Sequence, residues 1–315
     1  MDLRQLEILR AIAETGSFTR AGARLHVSQS AISRQILLLE DELNEPLFLR
    51  VGRQVQITPA GETLLQLSQR VLTDIRETCA SITDRQGPLS GILRVVGGMT
   101  VCLYLFPRLV KEFQRLHPDV EIKIAAGDQQ RTLRRLRSGR ADLGLLTLPV
   151  EEAGLTSVAV LREELILIMP VGHELESARH PVDPAALVGQ PFILFEPGSN
   201  TRRAIDDFFV REQVKPRIVS ETENVEIMKA MVANGLGISI VPYLAVEREA
   251  RNGELSVARF RGPHLVRETG WVYRSTERVP RIVLAMMETL TGILPTLPVA
   301  PGEPLVHEIP RARAR

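Results

Sequence analysis

Phe18-Thr19-Arg20-Ala21-Gly22-Ala23-Arg24-Leu25-His26-Val27-Ser28-Gln29-Ser30-Ala31-Ile32-Ser33-Arg34-Gln35-Ile36 holds two short helical patterns with almost nothing between them. Ser17, just ahead, is a good N-cap for a helix carrying Phe18, Ala21 and Leu25 on one side. A brief turn at His26-Val27 leads to Ser28, a second N-cap candidate. The helix it opens runs towards Leu43, with Ile32, Ile36, Leu39 and Leu43 at helical spacing. Before this stretch, Leu3, Leu6, Leu9 and Ile12 form an earlier apolar stripe that Gly16 ends. Three short amphipathic helices with such tight connections predict a helix-turn-helix.

After it come Pro46-Leu47-Phe48-Leu49-Arg50, the turn-prone Val51-Gly52-Arg53-Gln54, and Val55-Gln56-Ile57-Thr58, which read as a small β-hairpin, a wing. Thr58-Pro59 then starts a long helix, with Thr58 as cap and Pro59 at the first helical position. Continued to about Arg85, it would make roughly 40 Å of rod at 1.5 Å per residue. Leu64, Leu67, Val71, Ile75 and Ile82 keep steps near a heptad spacing along it, and a stripe with no domain of its own to pack on predicts a dimer seam. Gln86-Gly87-Pro88-Leu89-Ser90-Gly91 is a linker by composition.

Beyond the linker, short β-runs alternate with helical patterns: Ile92 to Val96, Val120 to Ala125, Leu143 to Leu148, Leu165 to Met169, Phe192 to Phe195 and Ile238 to Val241. That alternation predicts an α/β fold with mainly parallel sheets. From Pro295 onward Pro, Arg and Glu dominate, the composition of a disordered tail.

With 315 residues the chain is long enough for two or three separately cored units. Its net charge is +1, so no overall basic excess advertises nucleic acid, and DNA binding must rest on local arrangement. Two cysteines, Cys79 and Cys102, are too few for a disulfide-built secreted fold and lack metal-ligand spacing. Neither a signal-peptide core nor a membrane-length apolar stretch is present, and a cytoplasmic location is expected.

The apolar stripe of the third helix leaves Ser28, Gln29, Ser30, Ser33 and Arg34 near the N-terminal end of the opposite face. In helix-turn-helix docking those turns reach base edges in the major groove, where Arg pairs with guanine and Gln with adenine. Residues 1–60 hold seven Arg and seven Asp or Glu, but the acids gather at Glu40-Asp41-Glu42 and Glu45, past the end expected in the groove. Arg50 and Arg53 sit on the wing, placed to follow a phosphate backbone or enter a narrow minor groove. The plainer reading of each is a solvated polar side chain on a small helical domain.

These residues resemble the DNA-binding domain of LysR-type transcriptional regulators. The matching run is Phe18 to Ala21, Leu25 to Ile36, Leu39-Glu40, Leu43 and Leu47-Phe48, with Arg50, Arg53 and Ile57-Thr58-Pro59-Ala60-Gly61 in the wing and linker start. Gly139-Arg140-Ala141-Asp142-Leu143-Gly144, Gly235-Leu236-Gly237-Ile238 and Val241-Pro242 resemble the family's effector domain. Gly22 departs from the family's usual Ala. The resemblance implies a winged helix-turn-helix over 1–58, a linker and dimerisation helix over 59–86 and a hinge over 87–91. Two Rossmann-like subdomains like those of a type 2 periplasmic binding protein would follow, 92–161 with 267–294 and 162–266, ahead of the tail at 295–315. It also implies a homotetramer, a dimer of dimers, on double-stranded promoter DNA, with RNA polymerase and a small-molecule effector as partners.

Ligands in open α/β folds collect at the carboxyl ends of strands, where helix N-termini direct N–H groups at an anion. Thr100 follows the first strand of this region, and Ser199, Asn200 and Thr201 follow Phe195-Glu196 ahead of a helix with Arg202 and Arg203. The family resemblance places the inducer pocket between these two loops. Asp128, Gln129, Thr222 and Glu223 are expected to face the same cleft, their acids arguing against a simple polyanion. Each of Thr100, Ser199 and Thr222 also reads as a plain helix cap. The basic run Arg131, Arg134, Arg135, Arg137 and Arg140 reads as a solvated helix face.

The enzyme alternative finds no support: there is no Gly-x-Gly-x-x-Gly after a strand, no phosphate loop, no His-Glu-x-x-His and no Gly-x-Ser-x-Gly, so no cofactor or metal is expected. Two other regulator readings stand beside effector sensing. One is thiol redox sensing through Cys102, near a helix start with only Cys79, in the linker helix, as a resolving partner; a buried, inert thiol is the plainer reading of Cys102. The other is a C-terminal domain that only assembles oligomers.

Overall fold

Asp2 opens the first helix: its carboxylate accepts from the Gln5 amide while the Gln5 side chain accepts from the Asp2 N–H, a capping box. The computed structural model describes residues 1–51, 54–83, 88–177, 181–275 and 279–298, and the chain forms two compact units, one from Met1 and one taking most of the chain from Pro88. In the first unit, α1 (Leu3–Thr15) ends at Gly16, whose φ of 63° is the left-handed conformation a helix stop needs. Ser17 caps α2 (Phe18–Leu25) and Ser28 caps α3 (Gln29–Leu43), as their positions predicted. Leu6, Leu9, Ile12, Ala21, Ile32, Ile36 and Leu39 bury into one core between the three helices.

The wing is β1 (Phe48–Val51) paired antiparallel with β2 (Gln54–Ile57), Phe48 opposite Ile57. Glu40 anchors its entry, accepting from the Leu47 and Phe48 amides at 2.6 and 3.1 Å, so this acid is a structural brace. Thr58 Oγ1 accepts from the Gly61 amide and donates to the Pro46 carbonyl, tying the start of α4 (Pro59–Thr83) to the wing's first residues. Along α4 the expectation that the apolar stripe has no domain of its own to pack on needs correction. Leu64, Leu67 and Val71 pack, with Leu65 and Leu72, on the chain's own helix-turn-helix core, and Ser68 Oγ donates to the Leu6 carbonyl at 2.8 Å. The first turns of α4 therefore complete this unit; Ile75 is exposed, and the side chain of Ile82 lies outside the described residues.

The second unit runs β3 (Gly91–Gly97), a π-helical turn (Val101–Leu105), α5 (Phe106–Leu116), β4 (Val120–Ala126), α6 (Gln129–Arg137), β5 (Leu143–Thr147) and β6 (Leu155–Met169). It continues with β7 (Pro191–Leu194), α7 (Asn200–Arg211), β8 (Arg217–Glu221), α8 (Val225–Ala233), β9 (Ser239–Pro242), α9 (Glu247–Asn252), β10 (Ser256–Ala258), β11 (Val266–Arg274) and α10 (Arg281–Ile293). One sheet has the order β10-β6-β11-β5-β3-β4, with β9 also on β6; β7 and β8 form a separate parallel pair. Strand β3 is parallel to β4 and β5, whereas β6 and β11 form a long antiparallel ladder from Leu155–Arg274 to Glu164–Val266.

Two large cores lie on either side of that ladder's middle. Leu93, Phe106, Phe113, Leu143, Trp271 and Met286 belong to one; Leu167, Phe192, Phe208, Met228 and Ile240 belong to the other. Positions 161/162 and 266/267, where the halves were expected to exchange, fall on these paired strands, so two continuous strands run from one core to the other. At the C-terminus, Leu294–Thr296 form a short 3-10 turn and Leu297 is buried, while 299–315 lie outside the described residues. Among the described residues, no helix is long and apolar enough to cross a membrane, and no group of three or more His, Cys, Asp or Glu could hold a metal ion.

Candidate functional site

Helix α3 buries Ile32, Ile36 and Leu39 and turns Ser28, Gln29, Ser30 and Arg34 outward. Ser28 Oγ takes the Ala31 amide and lies 3.1 Å from Ser30 Oγ, and Gln29 Nε2 donates to Ser33 Oγ at 2.9 Å. Arg34 is exposed with no partner among the described residues. The end of the helix that a major groove receives thus carries a pre-ordered amide and an unengaged guanidinium. Of the wing arginines, Arg50 lies in β1 with its side chain outside the described residues, and Arg53 lies outside them entirely.

The second unit holds a cleft of about 750 Å³. Its walls are the turn after β3, the start of α6, the end of β5 and the loop that leads from β7 into α7. Parallel strands β3, β4 and β5 end together there, and the helical turn after β3 and helix α6 after β4 begin there, for the reason that makes this end of any α/β sheet a binding site. Thr100 is 8% exposed and lines the cleft; its hydroxyl caps nothing and has no partner among the described residues. Across from it, Gly198 adopts φ 94° and Ser199 caps α7, accepting from the Arg202 amide at 3.1 Å.

Asn200 and Thr201 sit in the first turn of α7 and are buried. Asn200 Nδ2 donates to the Thr147 and Pro149 carbonyls at 2.7 and 2.9 Å, so its amide latches the α7 loop to the end of β5. Asp128 accepts from the Arg131 amide at 2.7 Å and pairs with its guanidinium at 3.2 Å. Gln129 and Glu223 also line the cleft. Thr222 does not: its hydroxyl accepts from the Asn224 amide, inside the turn that starts α8.

Among the cleft residues not foreseen as such are three arginines and Glu196. Arg131 and Arg134, read as part of a solvated basic face, line one wall. Arg267 enters from β11, paired in register with Glu163 of β6. Its Nε donates to Glu163 Oε2 at 2.9 Å and its Nη1 to Thr201 Oγ1 at 2.6 Å, while Thr269 donates to the same Glu163 oxygen. Only a buried charge matched by an equally buried partner could have signalled this residue, and the two lie 104 positions apart.

Cys102 lies in the first part of the turn beside the cleft, but burial pushes its thiol up to about 11, only partly offset by backbone hydrogen bonding at Gly97. The thiol is therefore protonated at neutral pH, the opposite of a redox-sensing cysteine. The side chain of Cys79 lies outside the described residues.

Comparison with known proteins agrees with this two-part architecture. Residues 3–62 match the bacterial regulatory helix-turn-helix protein family of lysR type, and residues 86–294 match the LysR substrate binding domain. A probable RuBisCO transcriptional regulator of Synechocystis sp. is 36% identical over 262 residues, spanning 81% of this chain and 76% of its own. The transcriptional activator CmpR of the same organism is 31% identical, spanning 91% and 94%. Among solved structures, a full-length OxyR variant from Pseudomonas aeruginosa superposes with a TM-score of 0.78 at 27% identity, over 92% of this chain and 94% of that one. The chain belongs to the LysR family: it is a DNA-binding transcriptional regulator with a C-terminal effector-binding domain, and not an enzyme.

Proposed function

We propose that this regulator acts in the cytoplasm as a homotetramer, a dimer of dimers, on an inverted-repeat promoter site. Its DNA contacts are Ser28, Gln29, Ser30, Ser33 and Arg34 on α3, with Arg50 and Arg53 of the wing following the backbone. The observation that carries this is the outward face of α3, where an ordered Gln29 amide and Arg34, without a partner among the described residues, stand together at the helix's N-terminal end. Arg reads guanine bidentately and each such pair contributes about 1–3 kcal/mol of discrimination.

The cleft takes a small anionic metabolite between the Thr100 turn and the Ser199–Thr201 loop, with Asp128, Gln129 and Glu223 beside it. Effector binding there favours one arrangement of the two halves of the effector domain, which alters the spacing of the DNA-binding pairs and the bend of the DNA. The change reaches transcription through RNA polymerase, by contact or by exclusion.

The test is titration of the full chain against DNA from upstream of its own gene at several salt concentrations, beside Arg34→Ala. Binding that exceeds binding to scrambled duplex, and loses roughly tenfold or more in the variant, is expected. Equal affinity of both proteins for specific DNA in that titration, or in a genome-wide selection of bound fragments, overturns the assignment of the reading face.

A further inference from the structure

A buried guanidinium with an unused N–H group calls for an acceptor, because an unpaired buried donor costs the desolvation it never recovers. Arg267 is such a group. It is 5% exposed, lines the cleft, and its Nη2 has no hydrogen-bond partner among the described residues, although Nε and Nη1 are both engaged. The residue that takes Nη1 is Thr201, in the first turn of the twelve-residue helix α7, whose N-terminus carries the positive end of the helix dipole. Two independent features therefore favour an anionic oxygen at one spot.

The charge around that spot limits what else the ligand carries. Arg267 is neutralised by Glu163, and Arg131 pairs with Asp128. The remaining charged residues lining the cleft are Arg134 and two exposed carboxylates, Glu196 and Glu223, neither with a side-chain partner among the described residues. The cleft is thus negative by one formal charge away from the Arg267 corner. A phosphorylated or otherwise multiply charged anion meets carboxylates there; an ammonium group meets two acceptors of opposite sign.

We propose that the cleft binds a small amino acid, its carboxylate at Arg267 and the N-terminus of α7 and its ammonium group towards Glu196 and Glu223. This rests on the reading of the cleft as the effector site and narrows its anionic ligand to a carboxylate that also carries an ammonium group.

The probes are the protein amino acids, screened by thermal shift on the full chain in the millimolar range. Lactate and glycerate, which replace the ammonium of alanine and serine by hydroxyl, and phosphoglycerate serve as comparisons. At least one amino acid is expected to raise the unfolding temperature and to bind about tenfold or more tighter than phosphoglycerate. Arg267→Lys retains a cation for Glu163 and removes the forked donor, and it should weaken that amino acid about ten- to hundredfold. Glu223→Gln, an exposed change that does not threaten folding, should weaken the amino acid and strengthen phosphoglycerate. No stabilising amino acid, a preference for phosphoglycerate, or unchanged affinity in Glu223→Gln overturns the proposal. DNA titration separates the two levels. If phosphoglycerate or a hydroxy acid changes DNA affinity and no amino acid does, the effector reading survives and this one falls. If ligand binds without any change in DNA affinity, the effector reading fails and the ligand assignment stands.

Discussion

Replacing Lys229 by methionine keeps the side chain's length and removes its charge. In the native protein the Lys229 side chain is 4% exposed, and its Nζ donates to Tyr104 Oη at 2.6 Å, the Ala245 carbonyl at 2.8 Å and Glu249 Oε1 at 2.9 Å, and pairs with the half-exposed Glu226 at 2.8 Å. Tyr104 belongs to the turn after β3 and Glu249 to α9, so one ammonium joins segments far apart in the chain. Methionine leaves Glu249, itself buried, with only the exposed Arg248 as a charged partner. Removing one member of a buried pair costs about 3–5 kcal/mol, and the surviving Arg248 places the expected loss near the lower figure. For a domain of this size that lowers the unfolding temperature by about 6–12 °C in calorimetry of the full chain. The double change Lys229→Met with Glu249→Leu should recover most of it, because the buried charge is then gone too. Acid titration gives a second readout. Burial pushes Glu249 up, but the hydrogen bonds from Lys229 and Arg248 outweigh it, and its carboxyl lies below the ordinary 4.5. A depressed folded value means that its contribution is full above the unfolded value and is lost as pH falls through the folded one. In the methionine variant burial acts with less opposition, so this acid-side loss should shrink. A single variant within about 1 kcal/mol of wild type, or a double variant no better than the single, refutes the account.

Gly61→Ala should destabilise the DNA-binding unit by about 1–2 kcal/mol, since a Cβ there overlaps the Leu47 carbonyl and the Ile57 side chain, more than the helix-propensity gain offsets; unfolding no easier than wild type would count against that packing. Asn200→Ala should cost about 1–3 kcal/mol even without any ligand, because the Thr147 and Pro149 carbonyls lose their shared donor. Unchanged stability with altered ligand affinity would make Asn200 a ligand group instead. With its thiol at about 11, Cys102 should alkylate very slowly at neutral pH, roughly one thiol in ten thousand being ionised, and speed up steadily into the alkaline range; peptide-resolved mass spectrometry showing the rate of a free cysteine at neutral pH would refute the burial argument.

The helix-turn-helix was legible because its signals are local. Ser17, Gly16 and Ser28 stop and start helices through their own side chains or backbone, and the spacing of Ile32, Ile36 and Leu39 needs no knowledge of the rest of the fold. The long β6–β11 ladder was largely missed for the converse reason. Val266–Arg274 reads Val-Arg-Glu-Thr-Gly-Trp-Val-Tyr-Arg, without the alternation expected of a half-buried strand, because Arg267 and Thr269 face inward and are compensated by Glu163 from the other strand. Its antiparallel course also breaks the simple β-α alternation that pointed to mainly parallel sheets. The stripe on α4 was misassigned through a similar blindness. Nothing in residues 59–83 says that α1 has an outer face left to cover, and Leu64, Leu65 and Leu72 cover it.

In the cleft, the same division separates the residues that sequence could find from those it could not. Small polar residues at strand-to-helix transitions are conspicuous, and Thr100, Asp128, Gln129, Ser199, Asn200, Thr201 and Glu223 all line the cavity. Yet conspicuousness came from their capping chemistry, and several use their hydrogen-bonding capacity on the protein itself. Ser199 holds the Arg202 amide, Asp128 the Arg131 amide, and Asn200 two carbonyls of the opposite wall. A group already bonded has little left to offer a ligand. Capacity remains at the Thr100 hydroxyl, Gln129, Arg134, the two exposed acids and Arg267 Nη2, and the last of these exists only because a strand late in the chain pairs with one a hundred residues earlier. On the ligand assignment proposed above, specificity in this domain rests on the tertiary pairing more than on the loop motifs. Relatives that keep the loop residues but change the pair at positions 163 and 267 should read different ligands with the same fold.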